Sequence, residues 1–405
     1  MTSDDELLTT AEVARRLGVK PATVYAYASR GLLTSRRDRS ARGSLFVLAE
    51  VDRLVAGRVA TRRPAGVMES VTTRLTLLED DDLSYRGLRV AELAGVRSSD
   101  AVAALLWTGD LDGDAGLVAD PDAVARARPV VAALGDDARL TDRLRVAVVA
   151  LAPGDPWRFD LSPGTVRRSG GALLRGLVET VAPGAPPGGD DGPRAALPAL
   201  LWPLLATAPS VDGPPTDGDL ATLDAALVLL ADHGLAVSTM TARVAASARA
   251  HVYAVVSAAL GALDGPAHGT ASTAAHRFLA AALDDPAAAL AERLRTGGSV
   301  PGFGHAVYRH RDPRVAPLLQ RLRGTVVADV VDEVISRVAE RTGDFPNVDL
   351  ALAAMSHAHG MRPDAGETVF AVARTVGWVA HALEEYAEPG LRFRTQGTYS
   401  GPRPR

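Results

Sequence analysis

The sequence predicts an all-α fold, and three features support that class. Aromatic residues make up only 4% of the chain while alanine is abundant, which favours closely packed helices over a β-sandwich. Apolar residues recur at helical period in most of the long segments. At 405 residues the chain exceeds what one hydrophobic core organises, so we expect two or three domains.

The composition also excludes several classes of function. The formal net charge of -4 gives no overall attraction to nucleic acid, and no run of 18 apolar residues predicts a membrane span. Without cysteine there is no disulfide, thiolate nucleophile or zinc–cysteine site. Because Lys20 is the only lysine, the body of the chain has no P-loop or Schiff-base lysine. The acidic N-terminus does not resemble a signal peptide, so we expect a cytoplasmic protein.

Residues 9–33 predict two short helices joined by a tight turn, which is a helix-turn-helix. Thr9 and Glu12 have the spacing of a capping box, so the first helix should begin near Thr10. Pro21 suits the first turn of the second helix. Ala11, Ala14 and Leu17 should form the apolar face of the first helix. Gly18 should end that helix.

An arginine-rich segment with the turn residue Gly43 follows, and then the strand-like run 45–47. This pattern resembles the wing of MerR-type or excisionase-type DNA-binding domains, and we place that domain at residues 1–60. The resemblance implies that the second helix enters a major groove while wing arginines contact phosphates. The candidate DNA-binding residues are Thr23, Tyr25, Arg36, Arg37 and Arg39. The alternative is a small module that binds protein instead of DNA.

The middle of the chain contains scaffold without recognisable chemistry. Residues 59–68 resemble a linker, and residues 71–94 predict a short strand pair that leads into a helix. Ser98 or Ser99 should cap the next helix. The stretches 110–120 and 183–193 are rich in Gly, Pro and Asp and predict loops between further helices.

Two histidine-containing segments stand out in the C-terminal half, where all nine histidines lie. In ADHG, Asp232 and His233 interrupt an apolar helical run, and the alternative to a binding role is an ordinary buried histidine. In GPAHG, His268 stands among small residues that would let a substrate approach closely. The alternative there is a simple turn.

Two further segments indicate an anionic ligand and a base. Gly302 and Gly304 flank Phe303 directly before His305, and arginines follow. Because the third glycine of a dinucleotide fingerprint is missing, a flexible loop for an anion fits better than a Rossmann site. In PNVD, Asp349 lies between a Pro-Asn turn and an apolar helix, where a desolvated carboxylate could act as a base. The alternative is an ordinary helix N-cap.

Together these segments resemble the citrate synthase family. SYRG, LLWTG, ADHG, GPAHG, PGFGHAVYRxxDPR, PNVD and FAVARTVGWVAH occur in the family's order over roughly residues 70–405. The resemblance implies an all-α homodimer, with a large domain at 66–269 and 361–405 and a small domain at 270–360. It also implies that the enzyme condenses acetyl-CoA with oxaloacetate, as in the tricarboxylic acid cycle, and hydrolyses citryl-CoA without a metal or a further cofactor.

The resemblance also implies a role for each motif residue. Asp349 would take a proton from the acetyl methyl group, His268 would stabilise the enol, and His305 would polarise the oxaloacetate carbonyl and protonate the alkoxide. The oxaloacetate contacts would come from His233, Arg314, Arg374 and Arg394, the last contributed by the partner subunit. The CoA contacts would come from Arg309 and from backbone donors of the loop Pro301, Gly302, Phe303 and Gly304.

Two of these assignments have alternatives. Ungapped counting places the tail arginine at Arg394, with Arg392 as the other choice. Arg374 lies in an apolar run and could be a structural arginine that snorkels to the surface. The chain departs from the family pattern at Ala236, where asparagine is usual, and at Ala267, where leucine is usual, and both departures concern the shape of the oxo-acid pocket.

Three functions therefore fit the sequence. The first is a citrate synthase. The second is a 2-methylcitrate synthase that uses propionyl-CoA through the same residues, since one methylene changes discrimination by only about 1–3 kcal/mol. The third is a DNA-binding regulator whose enzyme-like body senses CoA thioesters or oxo acids. The complete set of His268, His305 and Asp349 favours catalysis, because a sensor needs no base.

Overall fold

A computed structural model describes residues 7–17, 19–29, 32–37, 44–48, 50–51, 71–182, 195–207, 214–265 and 268–393. The chain divides into two compact units, one of residues 1–70 with 393–405 and the other of residues 71–392. The predicted linker at 59–68 and the predicted loop at 183–193 lie outside the described residues. The division of the body into a large and a small domain stays a prediction.

The described part of the N-terminal unit includes two short helices and a three-stranded antiparallel sheet. The helices are α1 (Thr10–Leu17) and α2 (Pro21–Ser29), and the strands β1 (Leu7–Thr9), β2 (Ser35–Arg37) and β3 (Ser44–Val47) pair in the order β1-β3-β2. This arrangement confirms the predicted start of each helix and the predicted strand after the arginine-rich segment.

The predicted capping box of α1 is also confirmed. The carboxylate of Glu12 accepts the backbone N–H of Thr9 at 2.8 Å, and Thr9 Oγ1 accepts the N–H of Glu12 at 3.4 Å. The predicted apolar face is wrong at one position, because Ala11 is exposed and Val13 is buried in its place. The predicted end at Gly18 lies outside the described residues. The small core consists of Val13, Ala14, Leu17, Val24, Leu33, Phe46 and Val51.

In its described residues, the second unit begins with a small antiparallel sheet, and its remaining regular elements are helices. The strands are β4 (Thr76–Glu79), β5 (Asp82–Tyr85) and β6 (Leu88–Arg89); β4 and β5 are the predicted pair, and β6 is a third strand that was not predicted. The helices are α3 (Val90–Leu93), α4 (Ser99–Thr108), α5 (Pro121–Ala132), α6 (Leu140–Leu151), α7 (Pro163–Val181), α8 (Leu197–Leu205), α9 (Asp217–Leu230), α10 (Val237–Ser247), α11 (Val252–Leu263), α12 (Ala271–Asp284), α13 (Pro286–Arg295), α14 (Val315–Leu319), α15 (Val326–Thr342), α16 (Val348–Ala358) and α17 (Ala365–Tyr386). Ser98 caps α4, because its side chain accepts the N–H of Ala101.

Helix α17 is the central element of this unit. It is buried over nearly all of its length and packs against α4, α7, α9, α10 and α11. Burial therefore extends around nearly the whole circumference of the helix instead of one stripe, and it includes polar residues such as Arg374 and His381. None of the helices in the described part of the chain combines the length and hydropathy that a membrane span requires.

Candidate active site

The glycine loop, residues 301–304 before the predicted catalytic His305, is bonded to the start of α16, the helix that carries the predicted base Asp349. The backbone N–H of Asn347 donates to the carbonyl of Gly302 at 2.9 Å, and its side-chain amide donates to the carbonyl of Gly304 at 2.9 Å. Gly302 has φ of 85°, and a Cβ there would lie 2.9 Å from the Cβ of Leu350, so only glycine fits. The glycine loop is thereby fastened to the start of α16, which brings His305 close to Asp349.

The same loop uses some of its own backbone donors. The N–H of Gly304 donates to the carbonyl of Phe345 at 2.8 Å, and the N–H of Phe303 donates to Val300 at 3.2 Å. Pro301 has no N–H. Three of the four predicted CoA-binding loop residues therefore have no uncommitted backbone N–H, whereas the side chain of Arg309 is exposed.

Asp349 has the environment of a base. Asn347 is the N-cap of α16, since its side-chain oxygen accepts the N–H of Asp349 at 2.9 Å, so Asp349 is not needed as a cap. The Asp349 side chain is half-buried, and no hydrogen-bond donor in the described part of the chain reaches its carboxylate. Burial raises the pKa of Asp349 to about 6, although the charge of Arg314 opposes the rise. Such a carboxylate is a stronger base than an ordinary aspartate and is still ionised at neutral pH.

His305 presents a proton on Nε2. Its Nδ1 accepts the backbone N–H groups of Val307 at 3.0 Å and Tyr308 at 3.3 Å, so the neutral ring carries its hydrogen on Nε2. Burial and the nearby Arg314 lower the pKa of His305, which keeps the ring neutral at pH 7. Arg314 Nη2 lies 3.4 Å from Nε2, so the two side chains are in direct contact.

A buried ion pair fixes Arg314. Asp312 accepts from Nε of Arg314 at 2.9 Å and from Nη2 at 2.8 Å, and it also accepts the backbone N–H of Val348 at 2.9 Å. Burial opposes the charge of Arg314, but Asp312 more than offsets this and raises the pKa of the guanidinium. Asp312 therefore orients Arg314 and, through Val348, connects the loop that contains both residues to the start of α16.

We expect Asp312→Asn to destabilise the protein by about 3–5 kcal/mol, because it leaves a buried guanidinium without its counter-charge. Burial disfavours ionisation of Asp312, but Arg314 dominates and lowers its pKa. The stabilisation should thus be complete above about pH 4, the unfolded value, and lost as pH falls through the lower folded pKa. Urea unfolding at several pH values measures both effects. The exposed pair Arg97–Asp112 is the control, and Asp112→Asn should cost less than about 1 kcal/mol; an equal cost for both variants contradicts this account.

His233 lies against His305 and is held from two sides. Its Nε2 is 2.9 Å from the hydroxyl of Tyr308, and the His233 and His305 ring centroids are 5.3 Å apart. Burial, followed by the charge of Arg314, lowers the pKa of His233 well below its ordinary value. The Tyr85 hydroxyl accepts the N–H of Asp232 at 3.0 Å and donates to its carbonyl at 2.9 Å, which fixes the backbone before His233. His233 is thus a neutral, oriented side chain.

Arg374 is a buried cation with unused hydrogen-bonding capacity. It is 1% exposed, so it does not snorkel to the surface. Its Nε donates to the carbonyl of Leu230 at 2.9 Å, and the guanidinium lies 4.5 Å from the ring centroid of Phe370. No acceptor among the described residues reaches its buried Nη2. Burial lowers the pKa of Arg374 to about 10, which leaves it charged at neutral pH.

His268 joins this group through Phe370 and Ser238. Its ring packs edge-on against Phe370, with 5.8 Å between centroids, and its Nε2 lies 2.8 Å from Ser238 Oγ. Burial and the charge of Arg374 lower the pKa of His268 to about 4, so the imidazole is neutral and can donate an N–H without carrying charge. Neither Ser238 nor Tyr308 was identified from the sequence. Tyr308 stands inside the PGFGHAVYRxxDPR motif, whereas only tertiary structure brings Ser238 to His268.

The tail arginines and the DNA-contact candidates are placed less completely. Arg392 forms two 2.6 Å hydrogen bonds to Glu385 of its own chain, which disfavours it as the residue given to a partner. Arg394 and Arg39 lie outside the described residues, as do the side chains of Arg36 and Arg37 in β2. On α2, Tyr25 is 50% exposed and Thr23 is half-buried.

Comparison with family models gives two matches. Residues 199–395 match the model described as citrate synthase, C-terminal domain. Residues 7–58 match a helix-turn-helix domain. The first match contains the candidate site residues from His233 to Asp349 and Arg374, whereas Tyr85, which contacts Asp232, lies before it.

Named relatives carry two different activities. A 2-methylcitrate synthase 2 of Corynebacterium glutamicum is 29% identical over 365 residues, covering 80% of this chain and 90% of that protein. A 2-methylcitrate synthase of Mycobacterium tuberculosis is 28% identical over 362 residues, covering 83% of this chain and 89% of that protein. A citrate synthase of Haloferax volcanii is 37% identical over 193 residues, covering 44% of this chain and 50% of that protein.

Solved structures show the same fold. The citrate synthase of Thermoplasma acidophilum, solved in a ternary complex with carboxymethyl coenzyme A and oxaloacetate, superposes with a TM-score of 0.66 at 22% identity, covering 84% of this chain and 96% of that chain. The citrate synthase of Thermotoga maritima superposes with a TM-score of 0.63 at 22% identity, covering 83% and 95%.

Proposed function

The chain belongs to the citrate synthase family, a family of acyltransferases, and we propose that it joins acetyl-CoA to oxaloacetate and releases citrate and CoA. One observation carries the proposal. Arg374 keeps a buried, charged Nη2 for which the described residues supply no acceptor, beside the neutral rings of His233 and His268. A dicarboxylate such as oxaloacetate provides an anionic acceptor of the required kind.

The first chemical step is removal of a proton from the acetyl methyl group. The C–H electron pair moves into the C–C bond, the thioester carbonyl becomes an enol or enolate, and Asp349 takes the proton. A thioester α-proton is very weakly acidic, so this step requires stabilisation of the oxygen as charge develops. The neutral His268 supplies an N–H for that oxygen without carrying a charge of its own.

The second step forms the carbon–carbon bond. The enol carbon attacks the oxaloacetate carbonyl carbon, whose oxygen accepts the Nε2–H of His305 and then its proton. Arg314, Arg374 and His233 hold the carboxylates, and water then cleaves the thioester to give a carboxylate and the free thiol of CoA. Hydrolysis of the thioester makes the overall reaction effectively irreversible.

The two candidate reactions differ in the acyl group that is transferred, and both citrate synthases and 2-methylcitrate synthases occur among the relatives. The second candidate is therefore a 2-methylcitrate synthase. Purified full-length protein should release thiol from acetyl-CoA, or from propionyl-CoA, only when oxaloacetate is present. The larger kcat/KM identifies the substrate. The proposal is overturned if thiol is released at the same rate with and without oxaloacetate, or if neither thioester releases thiol.

The proposal extends to a homodimer that binds double-stranded DNA. The helix-turn-helix match and the exposed Tyr25 on α2 support DNA binding, and a two-fold body would carry two such modules. In this assembly Arg394 of each subunit would complete the oxo-acid site of the other. Analytical ultracentrifugation should give the mass of two chains. The protein would then be an enzyme whose DNA binding responds to its substrates.

We expect the full-length protein to protect an inverted repeat whose half-sites lie about one helical turn apart, and to bind it less tightly as salt rises. Replacing Arg36, Arg37 and Arg39 with alanine should abolish the footprint, because these residues would supply phosphate contacts, while thiol release stays unchanged. Footprinting and the thiol assay measure both. If selection from genomic fragments enriches no sequence, and deletion of residues 1–60 instead lowers the melting temperature of the enzyme, the module is a structural one.

A further inference from the structure

The turn between β4 and β5 has an unusual backbone. Glu79 pairs with Asp82 across the hairpin, so Asp80 and Asp81 form a two-residue turn. Both have positive φ, 51° at Asp80 and 56° at Asp81. Turns of this type favour Asn-Gly or Asp-Gly, because a Cβ crowds the backbone in the left-handed region. Two consecutive side-chain-bearing residues in this conformation indicate that contacts elsewhere hold the turn in place.

Those contacts are made by Asp81 and Asp82 with the loop after His305. One carboxylate oxygen of Asp81 accepts the N–H of Arg309 at 2.6 Å, and the other accepts the N–H of His310 at 2.8 Å. These backbone bonds, that of Arg309 most of all, lower the pKa of Asp81, so the carboxylate stays ionised. Arg311 adds an ion pair to Asp82 at 3.4 Å. The turn therefore grips three consecutive residues of the loop.

These three residues, 309–311, lie in the loop between α13 and α14, residues 296–314. His305 precedes them, Arg314 follows them, and Tyr308, which contacts His233, is directly adjacent. The backbone of Arg309 is fixed by Asp81, but its side chain is exposed and has no hydrogen-bond or ion-pair partner among the described residues. The loop thus presents a free guanidinium from a rigid backbone.

We propose that Asp81 is a positioning residue for the CoA thioester, acting through the backbone of Arg309 and His310. This inference rests on the proposed function, since Arg309 must bind a CoA phosphate for its placement to matter. Because Asp81 already fixes the backbone of this loop, binding of the acyl-CoA does not have to order it, and the entropic cost of binding is smaller. Its loss should therefore weaken binding of the acyl-CoA more than it slows the chemical step.

The test is a graded series at the turn. Asp81→Gly removes both acceptors and relieves the left-handed strain, and it should raise the KM for acyl-CoA about tenfold while kcat changes less than about threefold. Asp81→Asn keeps one acceptor oxygen and should show a smaller rise in KM. Amide hydrogen exchange at Arg309 and His310 should accelerate in the same order. Asp80→Gly is the matched control, because it relieves strain in the same turn and keeps the Asp81 carboxylate, so its KM should equal that of the wild type.

Two outcomes overturn the inference separately from the proposed function. If the wild type releases thiol and Asp81→Gly folds with an unchanged KM, Asp81 is only structural and the inference fails alone. If Asp80→Gly raises the KM as much as Asp81→Gly does, the turn conformation matters and the carboxylate does not. A wild type that releases no thiol from either acyl-CoA overturns the proposed function and this inference with it.

Discussion

Replacing Asp349 with asparagine should lower oxaloacetate-dependent thiol release by about 10²–10⁴-fold, the usual contribution of a general base. Asparagine has nearly the same shape but cannot accept the methyl proton. No described donor binds the Asp349 carboxylate, so the exchange breaks no hydrogen bond to it. Burial raises the pKa of Asp349, which means that its ionised form is disfavoured in the fold. The melting temperature should therefore rise or stay constant while activity is lost.

The same residue sets the expected pH dependence. Because the base must be ionised, kcat/KM for the acyl-CoA should fall about tenfold per pH unit below the pKa of Asp349, which is about 6. The exposed Asp332 of α15 provides the control, and Asp332→Asn should match the wild type at every pH. Calorimetric titration with CoA should give similar affinities for all three proteins. An Asp349→Asn enzyme within about threefold of the wild type would exclude this residue as the base.

Replacing Arg374 with glutamine should raise the KM for oxaloacetate by about 10²–10³-fold, since a desolvated charge pair is worth about 2–5 kcal/mol. The wild type should also melt at a higher temperature when oxaloacetate is added, because the ligand gives the buried Nη2 an acceptor and binds only the folded state. Arg374→Gln should lose this shift. Arg374→Lys keeps the charge but loses the planar, two-pronged donor, so it should bind oxaloacetate with intermediate affinity.

Arg323→Gln is the control for these variants, because Arg323 is exposed and lies outside the site. It should keep both the KM and the thermal shift of the wild type. If Arg374→Gln changes the KM for oxaloacetate by less than about threefold and keeps the thermal shift, Arg374 is a structural cation. The anion would then be bound elsewhere.

Local sequence patterns were sufficient to predict much of the fold. Thr9 and Glu12 mark the first helix because a capping box requires contacts only three residues apart. Ser98 is the cap of α4 for the same reason. On the buried face of α1, Val13 is buried where Ala11 was predicted. Such patterns are limited here because the rotation of a short helix about its axis is set by what packs against it.

The partners of the candidate catalytic side chains could not be found in this way. Ser238 reaches His268 across 30 residues of sequence, and Tyr308 reaches His233 across 75 residues. Both contacts depend on how the helices pack, which no local spacing records. The PNVD segment allowed two interpretations of Asp349, as a cap or as a base. The structure gives the capping role to Asn347, which leaves the carboxylate of Asp349 available.

The most direct test of the proposed reaction is to identify the acid formed for each thiol released. Purified protein, oxaloacetate and acetyl-CoA or propionyl-CoA are incubated together, and the products are quantified by mass spectrometry. A condensing enzyme built on Asp349, His268 and His305 should form one citrate or one 2-methylcitrate for every CoA. Free acetate or propionate in the same ratio, with oxaloacetate unconsumed, would show that the site hydrolyses thioesters without forming a carbon–carbon bond.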